Sequence, residues 1–324
     1  MTRWVRGIDP NRITTADIDT VSGSLSPMPA IEIRGLVKHY GAVEAVRGID
    51  LTVETGEVFA LLGPNGAGKT TTVEVLEGFL TPTDGEVRVL GVDPGSGGRE
   101  FRDRIGIVLQ SSGVNKELTV RETLRFFAPM YTRSLPVDEV IDLVGLGEKA
   151  DARVKTLSGG QQRRLDLALG IIGDPDLIFL DEPTTGFDPS ARRRSWSLVD
   201  DLKALGKTIL LTTHYMDEAQ HLADRVAVIA AGRIVAEGTP ETLGGRADAA
   251  TIIEFSVPPG TTGLPARFHP GPDGRVRVEA DDPVAALNEL TGWALSSGTP
   301  LHGLAVSRSS LEDVYLSLTV GADG

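Results

Sequence analysis

The chain places a lysine and a threonine directly after a glycine-rich turn, and such a pattern binds phosphate. Residues 63–71 read GPNGAGKTT and lie between the apolar run VFALL and a helical pattern. Glycines let backbone N–H groups surround phosphate oxygens, and a helix start adds a positive dipole end. We predict that Lys69 reaches the terminal phosphates of a nucleotide and that the Thr70 hydroxyl binds magnesium. The alternative is a plain turn with an exposed lysine, which the flanking strand and helix disfavour.

Two carboxylates end a second segment, LIFLDEP at residues 177–183. Four apolar residues lead into Asp181 and Glu182, and the end of such a buried strand lies beside the phosphate loop in doubly wound folds. We predict that Asp181 holds magnesium through water. Glu182 is the candidate general base, or water-orienting group, for attack on a γ-phosphate. Without the phosphate loop, two solvated acids would be the better interpretation.

A third segment, LSGGQ at residues 157–161, combines a helix cap with two glycines. Ser158 and Gln161 fit the S-x-x-Q capping pattern, which is a sufficient structural explanation for both. Capping does not explain Gly159 and Gly160, because glycine weakens a helix. Their missing side chains would let a phosphate approach the backbone. We therefore predict a second anion site, which serves a nucleotide held by another molecule.

Composition excludes several classes of protein. The 324 residues contain no Cys, so no disulfide, thiolate metal site or cysteine nucleophile is possible. The formal net charge of −13 argues against broad nucleic-acid binding. No apolar run approaches the ~20 residues of a spanning helix, and the N-terminus lacks a signal-peptide core. We expect a cytoplasmic protein that meets a membrane only through a partner chain.

The order of patterns predicts three regions. Residues 1–29 are polar and contain prolines, which indicates a flexible leader, and Met28 is an alternative start. Strands alternate with helices over residues 30–240, which predicts a mainly parallel sheet with helices on both faces. A small α+β domain is expected over residues 250–320, with helices at residues 283–291 and 310–318. The basic cluster at residues 192–194 is expected to be a solvated helix face.

The three segments, in this order, resemble the ATPase subunit of ATP-binding cassette (ABC) transporters, in which LSGGQ is the signature. The resemblance covers about residues 31–237. It implies an α/β P-loop NTPase cassette with a helical signature subdomain, and ATP and Mg²⁺ as cofactors. The nucleotide-binding positions it implies in the two loops are Gly63, Pro64, Asn65, Gly66, Ala67, Gly68, Lys69, Thr70, Thr71, Ser158, Gly159, Gly160 and Gln161.

The same resemblance assigns roles to four further residues. Tyr40, in KHYG, would stack on adenine; the alternative is a strand-end tyrosine packed on the sheet. Gln110 would contact magnesium and the attacking water; the alternative is a solvated strand-end glutamine. His214, after TILLTT, would touch the γ-phosphate. Asp188 would lie in the loop that crosses a dimer interface, next to Phe187 where the family usually has leucine.

A narrower resemblance concerns the daunorubicin-resistance type of exporter ATPase. It rests on TTHYMDEA at residues 212–219 and SLEDVYLSLT at residues 310–319. That group carries a small C-terminal domain after the cassette. The broader ABC resemblance implies a homodimer with ATP at the interface and a separate multi-span membrane permease, contacted by residues 111–133. The function that the narrower resemblance implies is export of a drug-like or amphipathic compound.

Two other functions fit the sequence less well. A soluble ABC ATPase acting on ribosomes or DNA usually has two cassettes or coiled-coil arms, whereas this chain has one cassette and no extended heptads. An ATP-gated scaffold without catalysis is disfavoured by the joint presence of Lys69, Asp181, Glu182 and His214.

Overall fold

Strands and helices alternate through the first two thirds of the described chain. The computed structural model describes residues 28–108, 113–185, 187, 189–243, 251–258, 260–308 and 315. The strands are β1 (Ile31–Tyr40), β2 (Val43–Val53), β3 (Val58–Leu62), β4 (Asp84–Val89), β5 (Ile105–Val108), β6 (Leu177–Asp181), β7 (Thr208–Thr213), β8 (Arg225–Ala230), β9 (Arg233–Gly238), β10 (Thr251–Ser256), β11 (Arg275–Ala280) and β12 (His302–Arg308). The helices are α1 (Lys69–Leu76), α2 (Gly98–Arg104), α3 (Val120–Phe127), α4 (Val137–Leu143), α5 (Gly159–Ile171), α6 (Pro189–Ala204), α7 (Met216–Leu222) and α8 (Pro283–Ser297).

The central sheet has six strands in the order β5-β6-β7-β3-β8-β9. Neighbouring strands from β5 to β8 are parallel, and only β9 is antiparallel, at one edge. The residues of β3 and β7 are all buried, as expected when both faces of a parallel sheet are covered. This confirms the predicted α/β class with a mainly parallel sheet.

One face of this sheet carries more than helices. A second, antiparallel sheet of order β2-β1-β4 packs there together with α1 and α2. The other face is covered by α3 to α7. Helices alone were predicted for both faces. The sequence predicts strands at residues 31–34 and 51–53, but not their continuation into the long β1–β2 hairpin, because irregular register interrupts the regular alternation of buried and exposed residues.

The helices between β5 and β6 lead to the LSGGQ segment. Helix α3 begins with a capping box made by Thr119 and Glu122, and it ends at Phe127 before Pro129. Helix α5 lies very close to β5. A Cβ added to Gly106 would fall 2.1 Å from the Gly170 carbonyl oxygen, and one added to Gly170 would fall 2.5 Å from Val108 Cγ2. This contact holds the C-terminal end of α5 against the sheet.

The last third forms a small α+β unit. Its sheet has the order β11-β10-β12, and α8 packs on it through buried Ala286 and Leu290. Helix α8 continues to Ser297, beyond the predicted end near residue 291. The helix predicted at residues 310–318 lies outside the described residues except Tyr315. That side chain is buried in the core formed with α3 to α7.

Several predictions concern residues that are not described. These are most of the leader, residues 1–27, and the site candidates Gln110 and Asp188. Within the described ranges, no helix combines the length and apolar character that crossing a membrane requires.

Candidate functional site

The phosphate loop connects β3 to α1 and requires glycine where α1 begins. Gly68, the N-cap residue of α1, has φ +107°, a left-handed conformation that L side chains rarely adopt. A Cβ there would also fall 2.6 Å from the carbonyl oxygen of Ala45. The loop borders an open cavity of about 360 Å³. Its lining residues are Ala45, Asn65, Gly66, Gly68, Lys69, Thr70, Thr71 and Glu182.

Lys69 is held inside this loop by the backbone. Its ammonium group donates hydrogen bonds to the carbonyl oxygens of Gly63 (2.7 Å) and Pro64 (3.1 Å). It also lies 3.8 Å from Glu182 Oε1, and only 5% of the side chain is exposed. Burial lowers the pKa of Lys69, although Glu182 and Asp181 favour its charged form. The Lys69 ammonium group therefore lies next to the cavity in which phosphate oxygens would lie.

Thr212, the penultimate residue of β7, links the two acidic residues. Its hydroxyl donates to Asp181 Oδ1 (2.5 Å) and accepts from the Glu182 backbone N–H (3.1 Å). Glu182 follows β6 with φ +46°, a left-handed conformation that is uncommon for a non-glycine residue. The hydroxyl thus helps to fix the position from which the Glu182 side chain leaves the sheet.

The Glu182 carboxylate lies among three other polar side chains. Oε1 is 3.2 Å from His214 Nδ1 and 3.8 Å from Lys69 Nζ, and Oε2 accepts from the Thr185 hydroxyl at 3.1 Å. The structure therefore brings together three predicted site residues from three separate segments: Lys69, Glu182 and His214. A carboxylate in contact with a histidine and facing a phosphate-sized cavity can accept a proton from water there.

The oxygen donors of this region suit magnesium. The Thr70 hydroxyl lines the cavity, and the Asp181 carboxylate lies at the strand end that leads into it. Mg²⁺ prefers such hard oxygen ligands, and it is usually bound by one or two protein groups together with phosphates and water. These two residues fit the ion; the third candidate, Gln110, lies outside the described residues.

The LSGGQ segment combines a cap with open space. Ser158 Oγ accepts from the Gln161 N–H (3.3 Å), and the Gln161 side chain accepts from the Ser158 N–H (2.9 Å), so the capping box is formed. A Cβ added to Gly159 would meet nothing within 4 Å, and one added to Gly160 would meet only Ala191 Cβ at 4.0 Å. Packing among the described residues therefore does not require these glycines. Residues 158–161 do not line the phosphate-loop cavity of their own chain.

Tyr40 ends β1 with an open ring. Its side chain is 47% exposed, and Lys38 Nζ lies 5.5 Å from the ring centroid. About half of the residue is therefore accessible, and the adenine-stacking role of Tyr40 stays a prediction beside the alternative of a tyrosine packed on the sheet.

Three polar residues around Glu182 were not predicted from the sequence. Thr212 and Thr185 flank Glu182 as described, and buried Arg163 donates to the carbonyl oxygens of Asp181 (3.1 Å) and Pro183 (3.2 Å). The pair Thr212–Thr213 directly before His214 was a usable signal, because hydroxyls at the end of an apolar strand point to polar contacts there. Nothing in the sequence near Arg163 identifies its partners.

The prediction of a solvated basic face at residues 192–194 was wrong for Arg192. Its guanidinium lies 4.2 Å from the centre of the Tyr215 ring and pairs with Asp217 at 2.9 Å. The helix α6 packs against α7, and this contact covers Arg192.

Comparisons with known proteins agree with this geometry. The family model for ABC transporters matches residues 46–185, and the C-terminal domain model "ABC transporter domain-containing protein-like" matches residues 251–310. The daunorubicin/doxorubicin resistance ATP-binding protein DrrA of Streptomyces peucetius is 41% identical over 317 residues, which cover 90% of this chain and 93% of that protein. The chain belongs to the ABC transporter family. It is an ATP-hydrolysing subunit of the drug-exporter group, as the sequence predicted.

Further relatives support the same assignment. The Nod factor export ATP-binding protein I of Burkholderia lata is 38% identical over 311 residues, covering 90% of this chain and 98% of that protein. Among solved structures, cbiO1 of Clostridium perfringens, part of the ABC transporter complex cbiONQ, matches with a TM-score of 0.60 and 30% identity. The match covers 66% of this chain and 89% of cbiO1. The ADP form of the ABC transporter cassette MJ1267 matches with a TM-score of 0.59 and 28% identity, covering 66% and 92% of the two chains.

Proposed function

We propose that this ABC ATPase powers the export of an amphipathic, drug-like compound through a separate multi-span permease. It works as a homodimer at the cytoplasmic face of the membrane, with two ATP molecules in the dimer interface. The carrying observation is the contact of Glu182 with both Lys69 and His214 beside the phosphate-loop cavity. The proposed cargo class is based on similarity to DrrA and to the Nod factor export proteins.

The residues around Glu182 suggest how the γ-phosphate is cleaved. Lys69 would exchange the carbonyl oxygens of Gly63 and Pro64 for phosphate oxygens, which carry more negative charge. Glu182 would accept a proton from the attacking water, and His214 would hold the carboxylate in place and contact the γ-phosphate. Magnesium, held by Thr70, Asp181 and Gln110, would neutralise charge on the β- and γ-phosphates.

The signature segment supports the dimer proposal. Ser158 and Gly159 are exposed, and the glycines leave their backbone open without any packing need within the part of the chain that the structure describes. A phosphate at this helix start would be bound by N–H groups and the dipole. We propose that residues 158–161 bind the ATP that the partner's phosphate loop holds, and that Asp188 lies across the same interface. A two-fold arrangement gives each ATP both contacts.

The decisive experiment separates binding from cleavage. Glu182→Gln should retain ATP binding, lower the hydrolysis rate by about 10²–10⁴-fold because the proton acceptor is lost, and stabilise an ATP-bound dimer. Lys69→Ala should instead lose ATP affinity. Phosphate release, equilibrium nucleotide binding and light scattering measure the three effects.

The matched control is Glu148→Gln, which removes an exposed glutamate charge away from the loop and should hydrolyse ATP normally. Wild-type turnover by Glu182→Gln would refute the assignment of the base. A Glu182→Gln protein that stays monomeric with saturating Mg-ATP would refute the shared-interface arrangement.

A further inference from the structure

Arg163 contacts the backbone on both sides of the candidate base. It lies in the second turn of α5, and only 7% of the residue is exposed. Nε donates to the Pro183 carbonyl oxygen at 3.2 Å, and Nη2 donates to the Asp181 carbonyl oxygen at 3.1 Å. The Asp181 carbonyl belongs to the peptide group that leads into Glu182, and the Pro183 carbonyl lies one peptide group beyond the Glu182–Pro183 bond. One rigid, planar group therefore holds the backbone before and after Glu182.

The backbone conformation of Glu182 makes the two Arg163 hydrogen bonds important. With φ +46°, its backbone is in a region that a non-glycine residue occupies only when its surroundings impose it. The Thr212 hydroxyl holds the Glu182 N–H from the side of β7. The Arg163 guanidinium holds the neighbouring carbonyls from the side of α5. If the Arg163 contacts were lost, the peptide could relax and move the carboxylate away from His214.

The same helix carries the signature segment. Ser158 is the N-cap of α5, five positions before Arg163. Further along, the close Gly106–Gly170 contact fixes the helix on β5. An α-helix transmits displacement along its axis because its backbone hydrogen bonds are continuous. A small shift of the exposed N-terminal turn would therefore reach Arg163 before it reaches the fixed part of the helix.

We propose that Arg163 is a positioning residue that links the signature segment of each chain to Glu182 of the same chain. When residues 158–161 engage the partner's ATP, α5 and Arg163 set the position of the carboxylate that cleaves the chain's own ATP. The two nucleotide sites of the dimer are thereby coupled through each subunit. This inference rests on the proposed function, because it requires two ATP molecules shared between two copies.

The first test compares neighbouring arginines of α5. Arg163→Gln should lower kcat by about 10- to 100-fold, the scale of a misplaced catalytic group, while ATP affinity stays within about twofold. Arg163→Lys should give an intermediate kcat, because one ammonium group cannot span both carbonyls as a guanidinium does. The control is Arg164→Gln, whose side chain instead donates to the Gly145 carbonyl oxygen and which should retain wild-type kcat.

The second test asks whether Arg163 acts through Glu182 and Ser158. Arg163→Gln should cause no further loss of rate in a Glu182→Gln background. Its effect should also be less than multiplicative with that of Ser158→Ala, because both variants interrupt the same link. If Arg163→Gln does not fold, the same two comparisons with Arg163→Lys decide the matter.

The outcomes distinguish a failure of the proposed Arg163 link from a failure of the proposed function. Wild-type kcat in Arg163→Gln, or fully multiplicative effects in both double variants, would overturn the link while leaving ATP hydrolysis by the wild type intact. Loss of ATP affinity in Arg163→Gln would assign it a structural role and equally overturn the proposal. A wild-type protein that does not hydrolyse Mg-ATP would instead refute the proposed function itself.

Discussion

The polar side chains beside the phosphate loop contact one another and the loop backbone. Lys69 is bonded to the backbone of Gly63 and Pro64, while Glu182 lies against His214 and Thr185. Each of these contacts uses a group that the proposed reaction needs for another partner. In the proposed mechanism, nucleotide binding would therefore replace these contacts with contacts to phosphate and water. The buried polar groups would stay hydrogen-bonded both before and after binding.

Glu77, at the end of α1, is a buried carboxyl group with a strongly raised pKa. Burial raises the pKa to about 8, and the nearby charges of Asp181 and Glu74 add to the shift. The group is therefore mainly protonated at pH 7. Because its pKa in the unfolded chain is near 4.5, the folded state binds the additional proton between these two values. The stability it contributes is complete below pH 4.5 and is lost as the pH rises through about 8.

Glu77→Gln should remove this pH dependence, because an amide mimics the protonated acid. The free energy of unfolding of the wild type should fall relative to Glu77→Gln by up to about 1.4 kcal/mol per pH unit between the two pKa values. Urea unfolding at pH 6 and pH 8.5 measures the difference. Exposed Glu148→Gln is the control; it retains Glu77 and should follow the wild-type pH profile. Parallel pH profiles for Glu77→Gln and wild type would contradict the buried-acid account.

At the scale of elements, the close approach of α5 and β5 is the most demanding packing in the site. A Cβ on Gly106 has no space beside the Gly170 carbonyl oxygen, at a distance of 2.1 Å. Gly106→Ala should therefore destabilise the fold by about 1–3 kcal/mol through overpacking, and lower kcat by tilting α5. Gly113→Ala, where a Cβ would meet nothing within 4 Å, is the control. Thermal unfolding and phosphate release test both variants, and equal stability would show that α5 can move aside.

The elements that the sequence predicted well are those with a strong local signal. β3, β6 and β7 are short apolar runs, and the glycine-rich loop has its own pattern, so the sheet and the positions of Lys69, Asp181 and Glu182 followed from the sequence. The continuation of β1 and β2 into a long hairpin was missed because its bulges interrupt the alternation. The role of Arg163 was missed for another reason. Its partners lie about 20 residues away in the sequence, and only the packing of α5 against the end of β6 brings them together.

At the scale of the whole molecule, the division into a leader (1–29), a cassette (30–240) and a C-terminal domain (250–320) stays a prediction. The permease surface is also a proposal, and two exposed apolar residues in the predicted docking segment support it. Phe126 is 61% exposed and Met130 is 51% exposed. Exposure alone does not identify a docking surface, since Leu295 is more exposed, but these two side chains lie in the segment predicted to contact the permease and are its candidate contacts.

A single cysteine can test that surface, since the chain has no Cys of its own. Phe126→Cys should cross-link to the co-expressed permease in membranes, whereas Leu295→Cys, on α8 and 86% exposed, should not. Immunoblotting after treatment with a short bismaleimide measures the adduct. Cross-linking only through Leu295→Cys would transfer the docking site to the C-terminal domain.

Because the space around Gly159 and Gly160 is open, a substitution there would leave folding intact and would affect only activity. A side chain at either position would disturb nothing in an isolated subunit, and alanine would even stiffen the start of α5. Cellular protein quality control would therefore not recognise such a variant as misfolded. In the proposed homodimer its defect would arise only on pairing, so one variant gene copy would impair mixed dimers as well as dimers of the variant alone.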